Sequence, residues 1–574
     1  MLFFKDFKFS QIIALFSVVL FSFWIILVVE TAPLYQEAAR TDALAMINVL
    51  LPSFWVILLA YVGICFVYVV KSNGPTWLHM LLIGQLSLIL YFSPFVLSGF
   101  SWSPDSLWHA GVARYMPQIL SGSDIALSNY AQTYPFSFLI TYFAEQILGI
   151  SVFTYTLYIY PLIACLVIAE LAYVFAARVT NNQVAFLAML FTLPALHYFE
   201  PHVSPFSTGT ILVLVSLILL TVKSRFALSL SLLSVIVLTL THPISPLSLG
   251  AYIFAYVMVG VIFKGEFSKN IFFSRDFLVP LLFFLAIIWF SWTFFYAMSY
   301  YYGLEIALLN VFNFEFLARF FNVTQFTVGG QGFIFPEIHE LSLAIYGFFL
   351  IIVLIPVVEY LRQIFSSRAR RTLESSFFDK LALSFAAIIN AVLGFMLFLS
   401  SGDRVLLGRG LFYFVFMASI VTATYFVGLN KVGLNVKKIL ALGLVVTLFC
   451  SFPFISYSKE AYNSFTPSSN AGLEFLSSHV DLSNNSFSMG YDQQLAAYLD
   501  LSQGLGVSTQ FPPNITSIDS PNVIVMRVNY YFLISMRSDL SFSNNSYTML
   551  MDNLIMNSSY DKVYSNPNFE VFLK

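Results

Sequence analysis

The sequence predicts a polytopic α-helical membrane protein of about thirteen transmembrane helices, with a small C-terminal α/β domain outside the bilayer. Three observations carry that reading. Of 574 residues, 59% are apolar and only 10% charged, with a mean hydropathy of +0.82. The apolar residues recur in runs of the roughly 20 residues a helix needs to cross a hydrocarbon core. From about Ser456 onward the pattern breaks, and the chain becomes less hydrophobic and rich in Asn and Ser. A net charge of −2 suggests neither nucleic-acid binding nor a funnel for acidic substrates.

The predicted spans, in order, are 11–29, 48–70, 77–98, 152–177, 183–197, 208–222, 226–240, 244–263, 277–298, 340–362, 380–400, 411–428 and 437–455. The first run, Ile12 to Val29, follows Lys5 and Lys8 as a signal peptide would. It is long, however, and no small-residue cleavage site follows, so it reads as a transmembrane helix. With the N-terminus cytoplasmic, Lys and Arg concentrate in inner segments such as Lys264 to Asp276, Arg362 to Lys380 and Asn430 to Lys438, as the positive-inside rule expects. The N-x-Ser/Thr sequons at Asn322, Asn484, Asn514, Asn544 and Asn557 then all fall on the outer side. The expected protein is therefore a multi-pass protein of the cell membrane with an extracytoplasmic tail.

Four regions follow: N-terminal transmembrane helices (1–98), an outer loop with interfacial helices (99–151), the main bundle (152–455) and the soluble domain (456–574). In that domain AGLEFLSSHV (Ala471 to Val480) is helix-like and NVIVMRV (Asn522 to Val528) strand-like. Asn-Pro-Asn divides KVYSNPNFEVFLK (Lys562 to Lys574) into two short strand-like runs. Cys65, Cys165 and Cys450 all sit in apolar runs, with no spacing for a disulfide framework or a zinc site.

The outer loop is too long to be a connector. Ser103-Pro104-Asp105 has the form of a helix start, with Ser as cap, Pro in the first position and an acid in the first turn. The predicted helix runs to about Leu120 and lies near the membrane surface, where Trp102, Trp108 and Tyr115 would settle. Asp105 and His109, four apart, share one face. Their structural alternative is local: Asp105 complementing the helix dipole, His109 pairing with it, and Arg114 reaching to headgroups. The following SNYAQTYPFSFLITYFAEQILGI (Ser128 to Ile150) has a Tyr-Pro break and then an apolar helix. It is expected to be interfacial or re-entrant, because a full span there would invert the charge pattern.

This arrangement resembles the GT-C superfamily of membrane glycosyltransferases, including its protein mannosyltransferase-like and aminoarabinose transferase-like members. The likeness is carried by Asp-x-x-Trp-His in an outer loop, Tyr-Pro before an apolar segment, YFEPHVSPFSTGTILV (Tyr198 to Val213), LTHPISPLS (Leu240 to Ser248), the outer turn SSGDRVLLGRG (Ser400 to Gly410) and the C-terminal domain. The third and fourth of these are similar to Ser-Pro-x-Ser and His-Pro segments of archaeal members. Two features depart from the superfamily. The reactive loop follows the third span rather than the first, and both the Trp-Trp-Asp-Tyr-Gly signature of oligosaccharyltransferases and an Asp-x-Asp motif in the loop are absent. En bloc oligosaccharide transfer and a bound divalent metal are thereby disfavoured; no cofactor is expected.

The resemblance implies transfer of one sugar from a polyprenyl-phosphate donor to a protein, lipid or glycan acceptor on the outer face. An attacking hydroxyl needs a base, and Asp105 is the candidate by position and by family likeness. His109 would orient that carboxylate or bind sugar hydroxyls. The departing phosphate wants fixed cations, and Arg404 and Arg409 stand at a helix start, where exposed N–H groups also favour an anion. Anchoring a helix end at the headgroups is their structural alternative. His202, His242 and Glu200, flanked by prolines near span ends, are candidate cavity-lining residues. Glu170, placed mid-span, favours a proton-coupled transporter or lipid-linked-sugar flippase as the rival reading. Against that rival stands the asymmetry of the chain, since transporters usually show repeated halves.

Overall fold

The computed structural model describes residues 2–38, 45–50, 52–71, 74–99, 104–114, 116–121, 129–196, 199, 201–222, 224–262, 275–297, 336–365, 375–401, 404–428, 434–457, 487–488, 523–527, 561–566 and 569–573. The main helices are α1 (Leu2–Ala38), α2 (Pro52–Lys71), α3 (Thr76–Ser98), α4 (Pro104–Arg114), α5 (Phe136–Leu148), α6 (Tyr160–Val179), α7 (Asn182–Ala195), α8 (Pro205–Leu219), α9 (Arg225–Thr239), α10 (Ser245–Ile262), α11 (Arg275–Phe295), α12 (Pro336–Phe365), α13 (Ser375–Ser401), α14 (Arg404–Gly428) and α15 (Leu434–Phe452). Single-turn pieces fill the joints.

Each of the thirteen segments expected to span is helical. Among the described residues, nine helices are long and apolar enough to cross a membrane, which makes this a multi-pass membrane protein. The expectation of about thirteen full spans is met only in that sense. α7, α8 and α9 have 14, 15 and 15 residues, or roughly 21–23 Å at 1.5 Å per residue, short of a hydrocarbon core of about 30 Å. Their ends are set by local chemistry. Asn181 caps α7 by accepting from the Val184 N–H, Pro194 closes it, and Ser204 caps α8 by accepting from the Ser207 N–H at 3.0 Å, with Pro205 in the first position. The described non-helical residues between α7 and α8 (196, 199 and 201–204) and residues 241–244 between α9 and α10 are buried in protein, the condition under which irregular backbone is tolerated at membrane depth.

Interhelical hydrogen bonds join the bundle, as apolar packing alone gives helices little preference for one another over lipid. Tyr61 of α2 donates to Gln85 Oε1 of α3 at 2.6 Å and also contacts the Leu82 carbonyl. Ser87 of α3 donates to the Cys165 carbonyl of α6 at 2.7 Å, and Trp24 of α1 donates to Ser93 Oγ at 3.0 Å. α3 is interrupted at Leu88–Phe92 by a π-helical turn. The carbonyls it strands at Ile89 and Leu90 accept from Ser93 and Tyr457, while Tyr91 from the same turn donates to the Leu193 carbonyl at the end of α7. α1 turns Ile12, Leu15, Phe16 and Phe23 outward, as a lipid-facing helix does. Cys65 and Cys165 are buried, whereas Cys450 is exposed on α15; all three are free.

In the tail, the described strands β1 (Phe487–Ser488), β2 (Val523–Arg527), β3 (Asp561–Asn566) and β4 (Phe569–Leu573) form one sheet in the order β1-β2-β4-β3. β1 and β2 are parallel and the other pairs antiparallel. The Asn-Pro-Asn break works as read: Asn566 pairs with Phe569 across it, joining β3 and β4 as a hairpin. The expected helix over 471–480 and the five sequons lie outside the described residues.

Candidate functional site

The segments singled out in the sequence converge at one end of the bundle, where α3 ends and α8, α10 and α14 begin. α4 opens at Pro104 with Asp105 in its first turn; helix is described over Pro104–Arg114 and again over Met116–Leu120, and residue 115 between them lies outside the described residues. Its inner face carries Ser106, His109, Ala110, Val112 and Ala113, all buried. Ala110, Val112 and Ala113 form a small apolar core with Met116, Ile119, Ala131, Phe138 and Val152. α5 supplies Phe138 and, at 13 residues, is too short to span, in line with the interfacial or re-entrant expectation. Tyr134-Pro135 ends one turn and begins α5, whose Phe136 N–H donates to the Leu240 carbonyl at 3.3 Å. Trp292 Nε1 donates to the Thr133 carbonyl and Trp289 Nε1 to the Pro243 carbonyl, each at 2.9 Å. The loop is thereby tied to the α9–α10 turn and to α11.

His109 is buried and points into the bundle, packing on Phe138 with ring centroids 5.5 Å apart and on His202 at 5.8 Å. Arg114 is exposed. His202 is buried just ahead of the Ser204 cap. One turn along α8, Phe206 packs against His242 at 5.5 Å and lies beneath the Arg409 guanidinium, 5.5 Å from its ring centroid. His109, His202, His242 and Arg409 thus lie along one continuous path.

His242 has no exposure. Its Nε2 is 3.3 Å from Arg409 Nη1, and its Nδ1 is 3.0 Å from Ser245 Oγ and 3.3 Å from the Ile244 and Ser245 amides. Burial first, and then the Arg409 charge, push its pKa well below the ordinary 6.5, so the imidazole is neutral at pH 7. Behind it, Tyr413 Oη lies 3.4 Å from Ser245 Oγ and 3.2 Å from Thr210 Oγ1, and Tyr160 Oη lies 3.0 Å from Thr208 Oγ1. Arg409 is half-buried, held by a neutral ring nitrogen and an aromatic face. Neither of these two contacts neutralises its charge, and no carboxylate pairs with it among the described residues.

Two glycines permit this packing. A Cβ on Gly209 would lie 2.5 Å from Ser245 Oγ and 3.3 Å from His242 Cβ, so only glycine lets the α9–α10 turn close on α8. A Cβ on Gly410 would lie 2.3 Å from Gly394 Cα, so α13 and α14 cross backbone to backbone beside Arg409. Arg404 opens α14 five residues earlier, about 140° around the helix from Arg409. Glu200 lies outside the described residues. Half-buried Glu170 of α6 sits against Gly84 of α3, with its Oε1 3.5 Å from where a Cβ on that glycine would stand.

Sequence reasoning missed Phe206, Ser245, Tyr413, Thr210 and both glycines. Spacing held part of the signal: Ser245 is three residues after His242, and Tyr413 four after Arg409, one helical turn on the same face.

No protein-family model matches the chain, and no curated protein matches it. Among solved structures it is similar to the oligosaccharyltransferase of the archaeon Archaeoglobus fulgidus. The form solved in complex with zinc and sulfate is 13% identical with a TM-score of 0.43, covering 86% of this chain and 73% of that one. The form solved in complex with an inhibitory peptide and a dolichol-phosphate is 12% identical with a TM-score of 0.42, covering 86% and 74%.

Proposed function

We propose that this chain is a membrane glycosyltransferase that moves one sugar from a polyprenyl-phosphate donor to an acceptor hydroxyl at the end of the bundle that carries α4, the face predicted to be outer. The observation that carries the reading is Arg409: a half-buried guanidinium held by neutral groups, at the start of an inward-running helix, among the segments that resemble the GT-C superfamily. A fixed cation whose contacts among the described residues are neutral, in a partly desolvated site, is what a departing phosphate needs, because it stabilises charge that develops as the glycosidic bond breaks. Arg409 takes the phosphate, with Arg404 and the first turn of α14 adding to the field. Asp105, on the first turn of α4, is the base that takes the acceptor proton as its oxygen attacks the anomeric carbon. His109 and His202, buried beside one another, line the sugar side of the site, with Glu200 two residues before His202 in sequence. A single inverting displacement needs no second carboxylate, since the phosphate leaves without protonation.

The test is transfer by purified protein in lipid nanodiscs, given radiolabelled polyprenyl-phosphate sugars and protein, lipid and glycan acceptors. Wild type should transfer label, and Asp105→Asn should lower the rate by about 100-fold or more. Equal transfer by both would remove Asp105 as the base. Absence of transfer from every donor, together with movement of the labelled lipid between leaflets, would establish the flippase instead.

A further inference from the structure

We infer that His242 is a positioning residue that keeps Arg409 aimed through a neutral contact, which adds no counter-charge of its own and so suits the phosphate site to an anionic headgroup. The inference rests on the reading of Arg409 as the phosphate ligand.

Buried arginines are ordinarily held by carboxylates, which fix the fork in place and cancel its charge. Here the holder is an imidazole. A guanidinium donates in every accessible protonation state, so the contact of 3.3 Å between Arg409 Nη1 and His242 Nε2 is a bond only when Nε2 offers its lone pair. The proton is then on Nδ1, where Ser245 Oγ accepts it at 3.0 Å. The Ile244 and Ser245 amides, 3.3 Å from Nδ1, favour the opposite tautomer. That tautomer would set an N–H against a charged N–H donor, and the charge decides between the two. Ser245 is in turn fixed by Tyr413, which Thr210 steadies, so two helices and a turn hold one ring nitrogen toward one guanidinium nitrogen. Phe206 closes the other face of the guanidinium by cation–π contact, again without neutralising it. Neither the imidazole nor the ring cancels the guanidinium charge, which is thus presented to a ligand.

The design makes a distinctive prediction. A neutral acceptor at position 242 preserves the site; an anionic acceptor of the same size holds Arg409 equally well and abolishes its use. The experiment titrates full-length protein in nanodiscs with dolichyl phosphate, following binding by intrinsic fluorescence, with His242→Gln, His242→Glu, His242→Ala, Ser245→Ala and Arg409→Ala in parallel. His242→Gln is expected to bind within about threefold of wild type, and His242→Glu to lose about tenfold or more, the scale of one charge-assisted hydrogen bond. His242→Ala is expected to fall between them. Ser245→Ala keeps the ring but frees its tautomer, and should lose a few-fold; it keeps the inference testable if the glutamate variant does not fold. A space-filling role for His242 predicts that the near-isosteric Gln and Glu variants behave alike. Equal affinity for those two, with Arg409→Ala weakened, would overturn the inference and leave the phosphate site standing. Unchanged affinity in Arg409→Ala would overturn both.

Discussion

Gly410→Ala should damage this protein more than any polar truncation of similar size, although it adds one methyl group and improves helix propensity. The added Cβ would stand 2.3 Å from Gly394 Cα, 2.7 Å from Gly394 N and 3.0 Å from the Asn390 carbonyl. All three are backbone atoms, so no rotamer change relieves the clash, and α13 and α14 must part by about 1 Å to restore ordinary contact. Overpacking of this kind costs about 1–3 kcal/mol, partly offset by the roughly 1 kcal/mol that alanine gains over glycine in a helix. The functional loss should be larger, because Arg409 precedes Gly410 and Tyr413 one turn later bonds Ser245 and Thr210. A displacement on the order of 1 Å at a positioning group costs about 100-fold in rate. Gly443→Ala on α15 is the matched control: its Cβ would meet nothing within 4 Å, so it should leave transfer unchanged and raise thermal stability slightly. Thermal unfolding in detergent and sugar transfer in nanodiscs measure the two effects. Wild-type stability and transfer in Gly410→Ala would refute the argument that backbone contact between α13 and α14 sets the position of Arg409.

Tyr61→Phe removes the hydroxyl that joins α2 to Gln85 and Leu82 of α3, and should lower stability by about 1 kcal/mol without altering donor affinity, read by thermal unfolding and dolichyl phosphate titration. Ser204→Ala removes the cap of α8 and should cost about 1 kcal/mol in the same unfolding assay, with a drop in donor affinity because Phe206 lies in the first turn. The depressed pKa of His242 sets a pH dependence. Below the ordinary value of 6.5 the unfolded chain takes up a proton that the folded chain refuses, so stability falls as pH drops from 7 toward 5. In thermal unfolding across that range, His242→Gln should show a smaller acid-side loss than wild type.

Why some of this was legible in the sequence and some not follows from the range over which each signal acts. Helix positions were legible because a run of apolar residues determines its own secondary structure in a bilayer, and Ser-Pro starts are local chemistry: α4 opens at Pro104 and α8 at Pro205, as the motif implies. The hairpin across Asn-Pro-Asn belongs to the same class. The shortness of α7 to α9 was concealed because hydropathy continues past their ends: Leu196 and Phe199 are apolar and buried but not helical. Burial by neighbouring helices keeps a residue hydrophobic whether or not its backbone is regular. Histidines near span ends were likewise visible as anomalies, but their function depends on partners far away in sequence. His242 reaches Arg409 across 167 positions, and the feature that lets it do so is the absence of side chains at Gly209 and Gly410. In a single sequence a glycine inside an apolar helix looks like a weak spot. Here two of them are the reason a turn and a guanidinium meet, so the character of the site depends as much on where backbones approach without side chains as on the charged residues that first drew attention to it.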